Sequence, residues 1–308
     1  MKKIIIAEHL GFCMGVKRAI SMTEDTVHRD SKVTILKQIV HNEAIVEKFK
    51  EEGVGQAATI DEIDNGTVII PAHGASPDIF QRAAKRNLKV INATCPLVIR
   101  IHKIIMRLAA NGYRILHFGD NTHDETIGIV GHAPERVTVI KNLTALKGVG
   151  DIGGKLALTS QTTARVSDFE EIVKEASIKF PQIEVFNTIC NATNQRQESV
   201  MALAPMADLM LVVGSDSSAN SKRLAQIGKA LCGRGYLINS ARDIDPSWFK
   251  EGNRSIEIVG LSAGASTPDF LIDGAIERLK EIAKGTVEVI YPRRKSSRNK
   301  LFMEKKSA

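Results

Sequence analysis

Three of the four cysteines in the 308 residues share a setting. Cys13 lies in KIIIAEHLGFCMGVKRAI, Cys95 in KVINATCPLVIRIHKII and Cys190 in EVFNTICNATNQRQESV, each an apolar run, a short turn, the cysteine and then a helical pattern. A thiol just past a strand and at the start of a helix meets backbone N–H groups and the positive end of the helix dipole, and both favour the thiolate. Four cysteines without a CxxC pair are too few for a disulfide scaffold in a chain of this length, so a reducing cytoplasm is the expected compartment. Cys232, in LAQIGKALCGRG, follows no strand and reads as a packed apolar residue.

The elements that must position these thiols repeat. Spacings of 82 and 95 residues separate Cys13, Cys95 and Cys190, a period that suits a small domain. Between them a grammar of strand, polar loop and helix returns: VTILKQIVHNEAIVEKF and TVIIPAHGASPDIFQRA after Cys13, RILHFGDNTHDETIGI and KLALTSQTTARVSDFEEIV after Cys95, LMLVVGSDSSANSKRLAQI and SIEIVGLSAGASTPDFLIDGAI after Cys190. The stretches GASPD and GASTPD both set a hydroxyl residue ahead of a proline suited to the first helical position. This alternation predicts an α/β fold of three similar small domains with parallel sheets, packed as a pseudo-threefold trefoil. The expected domains are 14–95, 96–189 and 190–282, with residues 1–12 completing the third because the strand before Cys13 lacks earlier partners.

In open parallel sheets, ligands bind at the carboxyl ends of the strands, where the polar residues of these segments fall. If the three domains surround an axis, Cys13, Cys95 and Cys190 converge, and three thiolates suggest one central iron–sulfur cluster with an unligated iron open to substrate. Zinc is a weaker candidate, since structural zinc takes paired ligands at short spacing. His41, His73 and His123 lie at strand ends with Asn42, Thr162, Thr163, Ser218, Asn220 and Ser266. Singly these are ordinary caps, but as a ring of donors at helix starts they suit a small anion such as phosphate or diphosphate. His117 and His132 have no such support and read as structural. Glu125, which shares the strand-end loops with Asp124 and Asp216, would be held partly protonated in a low-dielectric cavity and could donate a proton.

Charge first points elsewhere. With 42 Lys and Arg against 35 Asp and Glu, a net +7 and a pI near 9.2 invite a nucleic-acid reading. Between Arg293 and Ala308, however, seven Lys and Arg face one Glu, so a basic, flexible tail is expected to hold nearly all the excess and the body is close to neutral. Aromatic residues are 5% of the chain, few for stacking on bases, and nucleic acid is not an expected partner of the body. The run Ile4–Ala7 ends at Glu8, too short for a signal segment, and no stretch approaches the ~18 apolar residues of a membrane span.

In order, GFCMGVKRAI, IVHNEAIV, PAHGAS, NATCPLV, GDNTHDETIGIVGH, SQTT, TICNATNQRQE, VVGSDSSANSKRL and SAGASTPDF resemble the motifs of the LytB-type 4-hydroxy-3-methylbut-2-enyl diphosphate reductases, which end the methylerythritol phosphate route to isoprenoids. The resemblance spans about residues 3–270. It implies a three-domain trefoil around one 4Fe–4S cluster with Cys13, Cys95 and Cys190 as ligands and an open fourth iron that takes the substrate hydroxyl. It further implies that His41, His73, Ser218, Asn220 and Ser266 bind the diphosphate, while His123, Thr162 and Glu125 serve the hydroxyl end and proton delivery. Ferredoxin or flavodoxin would supply electrons, and isopentenyl and dimethylallyl diphosphates would be the products. Two positions depart from the family's usual pattern. Ser218-Ala219-Asn220 stands where the family reads Ser-Ser-Asn, leaving Ala219 only its backbone N–H to offer, and Asp124 stands in place of a proline. Two other readings use the same cysteines: an iron–sulfur dehydratase resembling quinolinate synthase, which needs no added reductant, and an iron–sulfur sensor that binds nucleic acid through the tail.

Overall fold

The computed structural model describes residues 1–249 and 256–292. The basic tail expected over 293–308 lies outside the described residues. Continuous apolar runs become the middle strands of three parallel sheets. In β4 (Thr67–Ile70), β8 (Leu156–Ser160) and β10 (Leu209–Val213) each residue is buried, as parallel strands covered by helices on both faces must be. Alternate residues serve opposite faces. Ile69 joins Val33 and Ile35 on one side of the first sheet, while Val68 and Ile70 pack with Leu36 on the other.

The first sheet is ordered β3 (Gly55–Ala57), β2 (Val33–Leu36), β4, β5 (Lys89–Asn92), and the second β7 (Val137–Ile140), β6 (Arg114–Phe118), β8, β9 (Ile183–Val185). The same order recurs in the third: β11 (Gly235–Ile238), β10, β12 (Ile258–Ala263), then β1 (Lys3–Ile6) and β13 (Glu288–Ile290). There β1 runs parallel to β12 and β13, with Lys3 opposite Ile258 and Glu288. It takes the place that β5 and β9 hold in their sheets, and each of these three strands leads to one of the cysteines. The short outer strands β3, β7 and β11, and β13 beyond residue 282, are additions to the elements expected from the sequence.

Helices start where the strands' carboxyl ends turn back. α1 (Met14–Val27), α4 (Pro96–Ala110) and α8 (Asn191–Leu203) have Cys13, Cys95 and Cys190 as their N-caps. Between these lie α2 (Glu43–Glu51), α3 (Pro77–Lys85), α5 (Asp124–Gly131), α6 (Leu143–Gly148) and α7 (Val166–Lys179), followed by α9 (Ala219–Cys232) and α10 (Asp269–Ala283). The two turns that set a hydroxyl residue ahead of a proline differ. Pro77 opens α3 behind Ser76, whereas in the longer turn Pro268 is itself the N-cap of α10, and Thr267 Oγ1 donates to Val213 O at 2.9 Å instead. Among the described residues no helix is long and apolar enough to cross a membrane.

Candidate functional site

Carboxyl ends of all three sheets face one cavity of about 120 Å³. Cys13, Cys95 and Cys190 line it, as do His41, His73 and His123. So do Glu125, Thr162 and Thr163 from the second unit, and Ser218, Ala219, Asn220 and Ser266 from the third. Cys232, the last residue of α9, does not; its Sγ donates to Arg234 O at 3.3 Å. Asn42 also stays outside the lining and caps α2, accepting from Ile45 N at 3.3 Å.

Helix starts hold the thiols in different ways. Cys13 Sγ accepts from Val16 N at 3.4 Å and Cys190 Sγ from Thr193 N at 3.3 Å, while the backbone N–H groups of Leu97 and Val98 act on Cys95. The thiolate expected from helix position does not prevail in the free protein: burial pushes the Cys95 and Cys190 thiols up, against the N–H donors that pull them down. A metal must therefore displace their protons when it binds. All four cysteines are unpaired. Gly15, one helical residue after Met14, is required by close approach: a Cβ there would sit 2.5 Å from Cys95 Sγ and 3.9 Å from Cys13 Sγ.

Thiolates sharing one zinc ion at ~2.3 Å stand at most about 4.6 Å apart. Among the described residues the only three potential ligand atoms lying within 4.8 Å of one another belong to His41, His73 and Asp124, so the three cysteine sulfurs are spread too widely for a single ion. A polynuclear iron–sulfur cluster, which presents a separate iron to each thiolate, fits the donor type.

The rest of the lining includes imidazole and amide groups. His41 stacks on His73 with ring centroids 5.1 Å apart, and His123 lies tilted against His41 at the same separation. Burial drives His73 and His123 down to about 3 and about 4, and lowers His41 as well, so all three are neutral near pH 7. His123 Nδ1 accepts from Glu125 N at 3.2 Å, which leaves its ring proton on Nε2. The Nε2 atoms of His41 and His73 and both side-chain polar atoms of Asn220 are buried without a partner. Buried polar atoms are almost always paired, so four unpaired ones around one cavity mark a polar ligand's place. Ser266 Oγ, in contrast, already donates to His41 O at 2.9 Å.

Glu125 is 3% exposed. Thr162 N and Thr162 Oγ1 donate to its two carboxyl oxygens at 2.7 and 2.5 Å. Burial raises its pKa in spite of both donors. Asp124 beside it has the opposite outcome: burial works to raise it, but the hydrogen bond from Lys37 and the charges of neighbouring groups hold it down. Its other oxygen is 3.6 Å from His73 Nε2.

Sequence reasoning missed three residues here. Gly15 shows only as a glycine two places after Cys13. Lys37, at φ +58° in the left-handed region, reaches across from the first unit to ion-pair with Asp124. Arg196 is 5% exposed, its Nη2 donating to Gly11 O at 2.5 Å and its Nη1 to Ala192 O at 2.8 Å. An arginine on the second turn of the Cys190 helix was a signal for it.

A family model described as "LytB protein" matches residues 4–280. The chain belongs to the LytB family. A relative from Aquifex aeolicus named 4-hydroxy-3-methylbut-2-enyl diphosphate reductase is 39% identical over 298 residues, covering 92% of this chain and 98% of that one. Among solved structures, the E-1-hydroxy-2-methyl-but-2-enyl-4-diphosphate reductase from Plasmodium falciparum superposes with a TM-score of 0.87 at 29% identity, over 95% of this chain and 92% of that one. A structure described as (E)-4-hydroxy-3-methyl-but-2-enyl diphosphate reductase, the terminal enzyme of the non-mevalonate pathway, is 38% identical with a TM-score of 0.64, over 91% of this chain and all of that one. The family match, residues 4–280, runs across all three sheets.

Proposed function

We propose that this LytB protein is a 4-hydroxy-3-methylbut-2-enyl diphosphate reductase of the non-mevalonate isoprenoid pathway, working in a reducing cytoplasm. The observation that carries the reading is the pairing, across one cavity, of three unpaired cysteines with buried donors that lack partners. Replacing an allylic hydroxyl by hydrogen consumes two electrons and two protons and releases water, giving isopentenyl or dimethylallyl diphosphate. Cys13, Cys95 and Cys190 would hold one 4Fe–4S cluster, which when bound supplies single electrons and a Lewis-acidic iron. The electrons would come from a ferredoxin or flavodoxin.

Every other role falls to the chain's own side chains. His41, His73 and the Asn220 amide present unpaired polar atoms to a diphosphate, joined by the hydroxyl of Ser218, the N-cap of α9, and by the first N–H groups of α9 at Ala219 and Asn220. Ser266 must share its hydroxyl between His41 O and the ligand. Neutral imidazoles fit an anion that brings its own charge into a nearly neutral body, because protonation then accompanies binding. Glu125, whose carboxyl burial shifts towards its protonated form, passes a proton to the departing hydroxyl through Thr162 Oγ1 once that hydroxyl turns to accept from the acid, while His123 offers Nε2–H to the same end.

Anaerobic iron and acid-labile sulfide analysis tests the ligand set. Wild type and Cys232→Ser are expected to be brown, with iron and sulfide in equal amounts. Cys13→Ser, Cys95→Ser and Cys190→Ser should each lose the colour; loss in Cys232→Ser instead would refute the assignment.

A further inference from the structure

Arg196 is a buried cation without a buried anion of the usual kind. Its Nη1 and Nη2 bond to backbone carbonyls, and Nε is buried without a partner. The groups that act against the burial of its charge are Cys13 and Cys190, with no carboxylate among them. A brace between two carbonyls needs N–H groups but no charge, and a buried charge is costly unless an opposite one faces it. The unpaired Nε–H, on a side chain braced between the Cys13 and Cys190 turns, likewise marks a place for an acceptor.

We propose that Arg196 is the counter-charge of the iron–sulfur cluster, a positioning residue that favours the cluster's more negative, reduced state. The inference rests on the cluster reading above and goes beyond its ligands. Nη2 fixes the turn at Gly11, two residues before Cys13, and Nη1 fixes Ala192, two residues after Cys190, so the guanidinium is set between two of the three cysteine-bearing turns. When the cluster accepts one electron from a low-potential carrier, its charge falls by one unit while Arg196 keeps its proton. In a dry site that extra attraction is weakly screened and raises the reduction potential.

The test is the midpoint potential of the reconstituted, cluster-loaded chain, followed by electron paramagnetic resonance during titration with dithionite. Arg196→Gln is expected to lower the reduction equilibrium constant at least tenfold, a shift of about 59 mV for a one-electron couple, while Arg196→Lys stays close to wild type. A loaded Arg196→Gln with the wild-type potential overturns the proposal. Should Gln fail to load while Lys loads, the shared charge is what the cluster needs, and the proposal stands. Failure of both to load overturns it, because the two-carbonyl brace would then be the whole role. A wild type that takes up no iron and sulfide on reconstitution removes the cluster reading, and this inference with it.

Discussion

Glu125 owes its chemistry to what surrounds it. An exposed glutamate at a helix start would be ionised, but this one is buried with both oxygens on Thr162, and its pKa is raised. Glu125→Gln keeps the shape and the contact with Thr162 Oγ1 but cannot release a proton, so the cluster should load normally while turnover falls roughly 10²–10⁴-fold, the usual loss of a general acid. Near-normal turnover in a brown variant would remove Glu125 from the proton path. The histidines make a second prediction. His73, His117 and His123 titrate at about 3, about 3 and about 4 in the folded chain, against an ordinary value near 6.5. Above pH ~6.5 both states hold them neutral; below it the unfolded chain takes up protons that the folded chain refuses, so stability declines as pH falls towards 3–4. The urea midpoint of ligand-free protein should therefore drop between pH 7.5 and 5.5, and an unchanged midpoint would contradict the neutral, buried histidines.

At the scale of elements, the site depends on where each helix begins. Cys13, Cys95 and Cys190 cap three helices that follow equivalent strands, and this was legible because the pattern of apolar run, turn and cysteine recurs in the sequence. The outer strands were not legible. GQA at 55–57 is three residues without a β-branched side chain, and it is a strand only because β2 offers it an edge to pair with. Close approaches were equally hidden, since no local pattern tells that α1 meets the Cys95 turn at Gly15. Gly15→Ala is predicted to push the Cys95 sulfur aside: iron content after anaerobic reconstitution should fall severalfold, with far-ultraviolet circular dichroism unchanged. Full iron loading would show that the Cys95 turn can shift without loss.

Over the whole molecule, side chains tie the separate units together. Lys37 of the first unit pairs with Asp124 of the second, Ser215 Oγ of the third donates to Glu43 of the first at 2.6 Å, and Arg223 of the third reaches Asp168 of the second at 3.3 Å. Such contacts join residues more than fifty positions apart and leave no periodic trace, which is why Lys37 was hidden from sequence reasoning while the cysteines were not. The charge balance acquires its meaning at this scale too. Most of the +7 falls in residues 293–308, so the proposed diphosphate site in the body relies on aimed donors instead of bulk charge. The central claim, reductive removal of an allylic hydroxyl at this cavity, is tested most directly by anaerobic turnover of 4-hydroxy-3-methylbut-2-enyl diphosphate with and without a chemical reductant. Isopentenyl and dimethylallyl diphosphates formed only with reductant, at two electrons per product, are the predicted result; turnover without reductant, or none by the cluster-loaded chain with it, would contradict the account.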